Sequence, residues 1–304
     1  MNRILNSRFK PIVVNNMNKD IRKRINELKR KEEAPSGEVY QGLSLQVIET
    51  IAREFQISKR EVEIAALENE VIPIKYHRNI GTIGIPGQRK LLKAKVAVIG
   101  AGGLGGSVIE LLARMGVGRM VVVDGDTFAE DNLNRQLLCT EKNIRKSKVT
   151  AAVGRVGEIN SAVEVTSHQA FLGAENVDSF ITGCDVVIDA LDNIPVRLIL
   201  QEAARRLNLP LVHGAVAGFI GELMTIFPGD RGLGALFKPD QDIPPTGIET
   251  EIGTPTITPT FIAAGQVMEA VKIILRRGKP IRNRLRYFEV EEGKISEISL
   301  STQP

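Results

Sequence analysis

Cysteine is scarce: the 304-residue chain has two, Cys139 and Cys184, far apart in sequence. A disulfide framework is therefore excluded, and a reducing compartment suits the chain better. A four-thiolate zinc site cannot be built either. Long apolar runs are also missing, and none is expected to reach the roughly 20 residues of a spanning helix. No apolar run follows the charges at the N-terminus, so no signal peptide is expected. Net charge is low, at +4. Its excess is concentrated in KDIRKRINELKRK at residues 19–31. Such a cluster serves as a solvated, partly helical arm or as a surface for nucleic acid or an acidic partner. These absences leave a soluble, cytoplasmic protein with no membrane attachment.

What is present suffices for a full core: 43% of the residues are hydrophobic and 25% charged, as in ordinary globular domains. Residues 1–36 are polar and end in EEAPSG, which predicts a basic, flexible arm closed by a linker. Residues 37–72 predict a small helical module. Ile48, Ile51 and Phe55 supply one apolar face, and Val62, Ala65, Ala66 and Leu67 the next. Ser58 with Glu61 three residues on has the spacing of a capping box. A pair of this kind either packs as a module or reads DNA as a helix-turn-helix.

Residues 73–304 differ in texture. KVAVIG at 95–100, RMVVVDGD at 119–126, EVTSHQA at 164–170, CDVVIDALD at 184–192 and LPLVHGAV at 209–216 are short strand-like runs. Helical stretches separate most of them, including one expected over 141–160. The alternation predicts an α/β fold, a Rossmann-like, mostly parallel sheet flanked by helices. GELMTIF at 221–227 and a hairpin turning at Glu292 and Gly293 add C-terminal antiparallel strands. A Pro/Gly/Thr-rich crossing over 228–259 and a strong helix from Phe261 lie between them.

Gly100, Gly102, Gly103 and Gly105 follow the first of these strands and open a helix. Glycine here permits a tight turn, brings backbone amides close to a phosphate and lets the helix pack on the sheet. Asp124, at the end of the next strand, is placed to accept hydrogen bonds from ribose hydroxyls. A nucleotide is implied; NAD, FAD and ATP all remain open on these residues. Arg135 and Lys148 then add two cations, which hydride transfer has little use for and attack at phosphorus requires. Asp192 ends another buried strand, where a carboxylate points into the ligand crevice and suits Mg²⁺. It is equally well placed to cap the helix beginning at Ile194 and Pro195.

Several spaced motifs now stand in order: YHRNI at 76–80, GAGGLG at 100–105, VDGD at 123–126 and NLNRQ at 132–136. Lys148, Asp192 with Asn193 and Arg197, HGAVAGFIGEL at 213–223 and GQVMEAVK at 265–272 continue the series. From about residue 73 to 290 the chain resembles the ThiF/MoeB/HesA family, bacterial relatives of ubiquitin-activating enzymes. The resemblance implies an ATP-dependent adenylyltransferase that activates the C-terminal carboxylate of a small ubiquitin-like carrier protein ending in Gly-Gly. It implies that Asp124 holds ribose, that Asn132, Arg135 and Lys148 contact the triphosphate, and that Gln136 supports the same loop. Asp192 would hold Mg²⁺, and Arg78 would reach into the other subunit's site of a homodimer.

Departures from the family pattern matter as well. The two CxxC pairs that many relatives use for structural zinc are missing, so no zinc is expected. The crossing at 228–259 has no cysteine for a thioester, so the reaction is expected to stop at the acyl-adenylate. Cys184 and His213 are expected in the core, and Cys139 near the site. Two alternatives stand beside this reading: an NAD-binding oxidoreductase, and a tRNA threonylcarbamoyladenosine dehydratase-like enzyme, favoured by the basic head and a pI near 9.0.

Overall fold

The computed structural model describes residues 10–236 and 247–300. The chain divides into two compact units, residues 1–93 and 94–304.

The N-terminal unit contains α1 (Lys10–Leu28), β1 (Arg30–Glu33), β2 (Val39–Leu43), α2 (Leu45–Phe55), α3 (Lys59–Glu68), β3 (Ile72–Pro73) and α4 (His77–Lys93). Here the structure departs from the loose arm expected over 1–36. Ile21 and Ile25 of α1 are buried in one core with Ile48 and Ile51 of α2 and Val62 of α3. Ile21 and Ile25, four residues apart on one face and flanked by the partly buried Met17 and Leu28, dock the helix although the residues between them are charged. Residues 30–33 then pair antiparallel with 39–42. The expected helical pair forms. Ser58 accepts from the Glu61 amide at 3.2 Å, and the Glu61 carboxylate accepts from the Ser58 amide at 2.8 Å. The division after Lys93, rather than after residue 72, follows from α4. Its Leu92 packs with Leu67 of α3 and with Tyr76.

The C-terminal unit is built on an eight-stranded sheet. Its strands are β4 (Lys95–Ile99), β5 (Arg119–Val123), β6 (Glu164–His168), β7 (Val186–Asp189), β8 (Leu211–Ala217), β9 (Ile220–Ile226), β10 (Arg284–Glu289) and β11 (Lys294–Ser299). The order across the sheet is β11-β10-β9-β8-β7-β4-β5-β6. β4 to β8 are parallel, and β9, β10 and β11 join antiparallel. The helices are α5 (Gly103–Met115), α6 (Lys148–Ile159), α7 (Val177–Ile181), α8 (Ile194–Arg206), α9 (Glu249–Ile252) and α10 (Ile257–Leu275).

Two expected elements shift. The helix foreseen over 141–160 begins only at Lys148, because Arg145 takes φ +69° and breaks any helix through it. Ser147 caps the new start by accepting from the Thr150 amide. α10 is longer than foreseen and, by length and composition, apolar enough for a membrane span. Half of it is nonetheless buried in this unit, where it packs on α5, β8 and β9. Residues 237–246 of the expected crossing lie outside the described residues.

Register explains where a site forms. His168, Val123, Ile99, Asp189 and His213 are successive partners across β6, β5, β4, β7 and β8. They form one row, so the residues that follow each strand all emerge at the same sheet edge. The chain runs β4 to β5 to β6 in one direction and then returns to place β7 on the other side of β4. That reversal opens a crevice at the carboxyl ends of β4 and β7.

Candidate active site

A cleft of about 870 Å³ occupies this edge. Its floor is the turn after β4. Gly100 has φ +99°, and a side chain there would meet the Ala190 carbonyl oxygen at 2.5 Å. Gly105 lies one helical turn on, where a Cβ would fall 1.8 Å from the Gly100 oxygen. Gly105 therefore serves packing and is not among the residues lining the cleft. Gly102 and Gly103 line it directly. They open α5, whose first amides have no acceptor within the helix and carry the positive end of its dipole. The cleft thus has an anion-binding floor made of backbone.

Asp124, after β5, latches that floor. Its carboxylate accepts from the Ala101 amide at 2.7 Å and the Asp126 amide at 2.8 Å while facing the cleft. Lys148, the first residue of α6, is 7% exposed and reaches Asp126 at 3.0 Å. Arg135 donates to the Asp131 carbonyl at 2.7 Å and to Asn134 Oδ1 at 2.9 Å, so it is braced by its own loop. Gln136 is buried against Gly102, and its Oε1 makes no hydrogen bond to the protein. Arg135, Gln136, Lys148, Asp124 and Asp192 all line the one cleft.

Asn132 does not. It is buried and accepts from the Ala129 amide at 3.2 Å, closing the turn that carries Arg135. Asp192 does not cap α8. Asn193 caps α8, accepting from the Val196 amide at 3.0 Å, and Asp192 is exposed toward the cleft. Arg78 is exposed in the first turn of α4, in the N-terminal unit.

Behind Asp192 lies a buried polar cluster that the sequence analysis does not assemble. Asp189 is wholly buried and meets His213 Nδ1 at 2.7 Å. Its other oxygen accepts from the Leu191 amide at 3.0 Å. Arg197 Nε stands 3.6 Å from Asp189, and its Nη2 donates to the Leu191 carbonyl. Gln266 of α10 donates to the Asp189 carbonyl at 2.7 Å. The turn that presents Asp192 is therefore gripped on both its amide and carbonyl sides. A detectable signal did exist: VVID and LVHG each end an apolar run in one polar residue, and parallel pairing sets the two side by side.

Neither cysteine has the environment of a nucleophile. Burial raises the Cys139 thiol above its ordinary value and pushes Cys184 up to about 11, which suppresses the reactive thiolate. A second cavity, of about 280 Å³, shares Arg197, Ala215 and Val216 with the main cleft. Elsewhere it is mostly apolar, lined by Ile194, Ile220, Leu233 and Tyr287 among others.

A family model described as ThiF family matches residues 76–304. The chain belongs to the ThiF family. It is 34% identical over 234 residues to the SAMP-activating enzyme E1 of Haloferax volcanii, covering 76% of this chain and 86% of that protein. It is 33% identical over 241 residues to the sulfur carrier protein adenylyltransferase of Thermus thermophilus, covering 76% and 88%. Against the adenylyltransferase and sulfurtransferase MOCS3-2 of Zea mays, identity is 34% over 226 residues; this ThiF-family chain spans about half that relative, 47%. The enzyme class implied by the motifs, an adenylyltransferase, is the class these relatives carry in their names. Among solved structures, E. coli MccB with ATP superposes at a TM-score of 0.64 and 20% identity, covering 84% of this chain and 83% of that one. PaaA gives 0.64 at 18% identity, covering 75% and 82%. At these identities the likeness establishes the fold.

Proposed function

We propose that this ThiF-family enzyme uses ATP to activate the C-terminal carboxylate of a small ubiquitin-like sulfur-carrier protein, of the kind named for its bacterial relatives. One observation carries the reading. The amides opening α5, the cations Arg135 and Lys148, and the carboxylate Asp192 share one cleft at the strand ends. A dehydrogenase site would not gather two cations beside its glycine turn.

In the proposed reaction a carboxylate oxygen of the carrier attacks the α-phosphorus of ATP. The new bond joins acyl oxygen to phosphorus, and the bond from α-phosphorus to the bridging oxygen breaks. Pyrophosphate leaves with that electron pair, and an acyl-adenylate remains. The substrate supplies the nucleophile, so no protein nucleophile is required. Arg135 and Lys148 offset charge that moves onto pyrophosphate, and the α5 amides hold the phosphates in line. The second cavity shares Arg197, Ala215 and Val216 with the cleft, and in this reading it receives the carrier's slender tail.

A magnesium ion fits the residues present. Mg²⁺ typically takes one or two protein carboxylates and completes its shell with phosphate oxygens and water. Asp192 is exposed to the cleft, and the cap that would have occupied it is supplied by Asn193. When bound, the ion would neutralise phosphate charge. Arg78 enters this reading as the side chain a second copy contributes, so the working form would be a homodimer.

The test is direct. ATP with magnesium should raise the melting temperature, and NAD should not. Lys148→Ala should lose about 10²–10³ in the rate of pyrophosphate exchange, the usual cost of one charge-stabilising contact. An NAD response without an ATP response, or full activity in that variant, would overturn the proposal.

A further inference from the structure

Helix α4 is two helical pieces joined at a break. Inside it Gly84 has φ +69° and ψ 167°, a conformation essentially reserved for glycine. Beyond the break Gln88, Leu91 and Leu92 are wholly buried, and Ile85 packs with Leu67, Tyr76 and Leu92. Before it, no residue from His77 to Ile83 is buried. So short a helix is marginal in water, because nucleation costs more than its few hydrogen bonds return. The direction of this piece must be set by side chains.

Two contacts set it, and they flank one residue. His77 stacks on Tyr40 of β2, with ring centroids 4.0 Å apart and planes 14° from parallel. Asn79 donates across the break to Oε1 of the buried Gln88 at 3.0 Å. Between them stands Arg78, exposed and without a hydrogen bond or ion pair to the described residues. An arginine whose neighbours on both sides are tied down, while its own donors stay open, is aimed at an anion beyond this unit. We infer that Tyr40, Asn79 and Gln88 are positioning residues that fix the direction in which Arg78 leaves α4. The inference rests on the reading above, in which Arg78 serves the nucleotide site of a second copy, and says what makes that reach effective. A loose arginine loses orientational freedom when it meets a phosphate, which weakens the contact; a braced one has lost that freedom beforehand.

ATP binding by the full-length protein, followed as thermal stabilisation with magnesium and no carrier, tests this apart from the chemistry. Each variant is referred to its own melting temperature without ligand, so a change in fold stability cancels. Arg78→Ala should raise the half-saturating ATP concentration about tenfold or more, the usual worth of a hydrogen bond to a charged group. Asn79→Ala and Tyr40→Leu should each raise it roughly threefold to tenfold through lost preorganisation. Asn79→Gln keeps the amide donor and should stay within about twofold of wild type. In an Arg78→Ala background neither Asn79→Ala nor Tyr40→Leu should weaken ATP further, because the side chain they orient is gone. Equal weakening in both backgrounds would overturn the inference. So would wild-type ATP binding in Asn79→Ala and Tyr40→Leu when Arg78→Ala binds poorly. Wild-type binding in Arg78→Ala would refute the reading of Arg78 and the brace together. The expected non-additivity in a protein with no pyrophosphate exchange would uphold the brace and refute the proposed reaction.

Discussion

Glu63 in the N-terminal unit and Asp189 in the C-terminal unit are both wholly buried carboxylates, yet their partners differ in what they touch. Glu63 is sealed between Lys75 Nζ at 2.6 Å and the Tyr76 hydroxyl at 3.1 Å. Burial pushes Glu63 up and Lys75 down, each toward its neutral form, and their mutual attraction opposes this. Asp189 is held by His213, Arg197 and the Leu191 amide. Of these, Arg197 and Leu191 line the main cleft, and His213 lines the second cavity. The closed cluster anchors a fold. The open one aims a turn. Burial of charge alone does not distinguish the two; the reach of the partners into a cavity does.

The comparison breaks most visibly by deleting one partner at a time. Glu63→Ala takes the buried carboxylate away from Lys75 and Tyr76 and should cost about 3–5 kcal/mol in urea unfolding. Replacing both Glu63 and Lys75 with methionine should recover most of that loss, since a well-packed apolar pair is neutral or better. Activity per folded molecule should stay at the wild-type level in the double variant. A double variant as unstable as the single would show that the pair contributes more than its own neutralisation.

At the other cluster stability and activity should part company. Asp189→Leu combined with His213→Leu removes the carboxylate and its nearest partner and leaves Arg197 on the Leu191 carbonyl, so part of the stability should return. The rate of pyrophosphate exchange should still fall about 10–100-fold, as for loss of groups that orient a metal ligand. A higher magnesium requirement should accompany the fall. Wild-type kinetics in a stable double variant would place Asp189 in the same class as Glu63.

The two helix caps offer a finer version of the same contrast. Ser58→Ala and Asn193→Ala each delete an N-cap and should each cost about 1 kcal/mol. Only Asn193→Ala should raise KM for ATP, because its neighbour Asp192 faces the cleft. The smallest effect concerns the thiols. With Cys184 pushed up to about 11 by burial and Cys139 also raised, native protein at pH 8 should resist iodoacetamide while denatured protein takes two labels. Labelling of Cys184 should grow only as pH climbs toward 11, because the thiolate is the reactive form. Rapid labelling of the native protein at pH 8 would contradict the assigned environments.

Much of the C-terminal unit was legible because its strands announce themselves. Val96 to Ile99, Val121 to Val123 and Val186 to Ile188 are unbroken apolar runs buried on both faces, and glycine or aspartate ends each one. The glycine floor, Asp124, Arg135, Gln136, Lys148 and Asp192 follow at fixed distances from those ends, and the structure gathers them in one cleft. Helix α1 was not legible. Its apolar anchors, Ile21 and Ile25, sit within a strongly basic run, where average composition hides a two-residue stripe. Asn132, which the resemblance puts at the triphosphate, is buried under the turn that carries Arg135 and does not line the cleft, a burial that spacing does not encode. The Asp189–His213 pair escaped because it depends on strand register across 24 residues.

In the proposed reaction, cations, helix amides and the Asp192 carboxylate converge on a triphosphate undergoing cleavage at its α-phosphorus. Isotope exchange between labelled pyrophosphate and ATP measures that event directly, with magnesium and a panel of small proteins ending in Gly-Gly. Exchange that requires a free terminal carboxylate on one of them, and collapses in Lys148→Ala, is the predicted result. Failure of every such carrier to support exchange by a protein that binds ATP would contradict it.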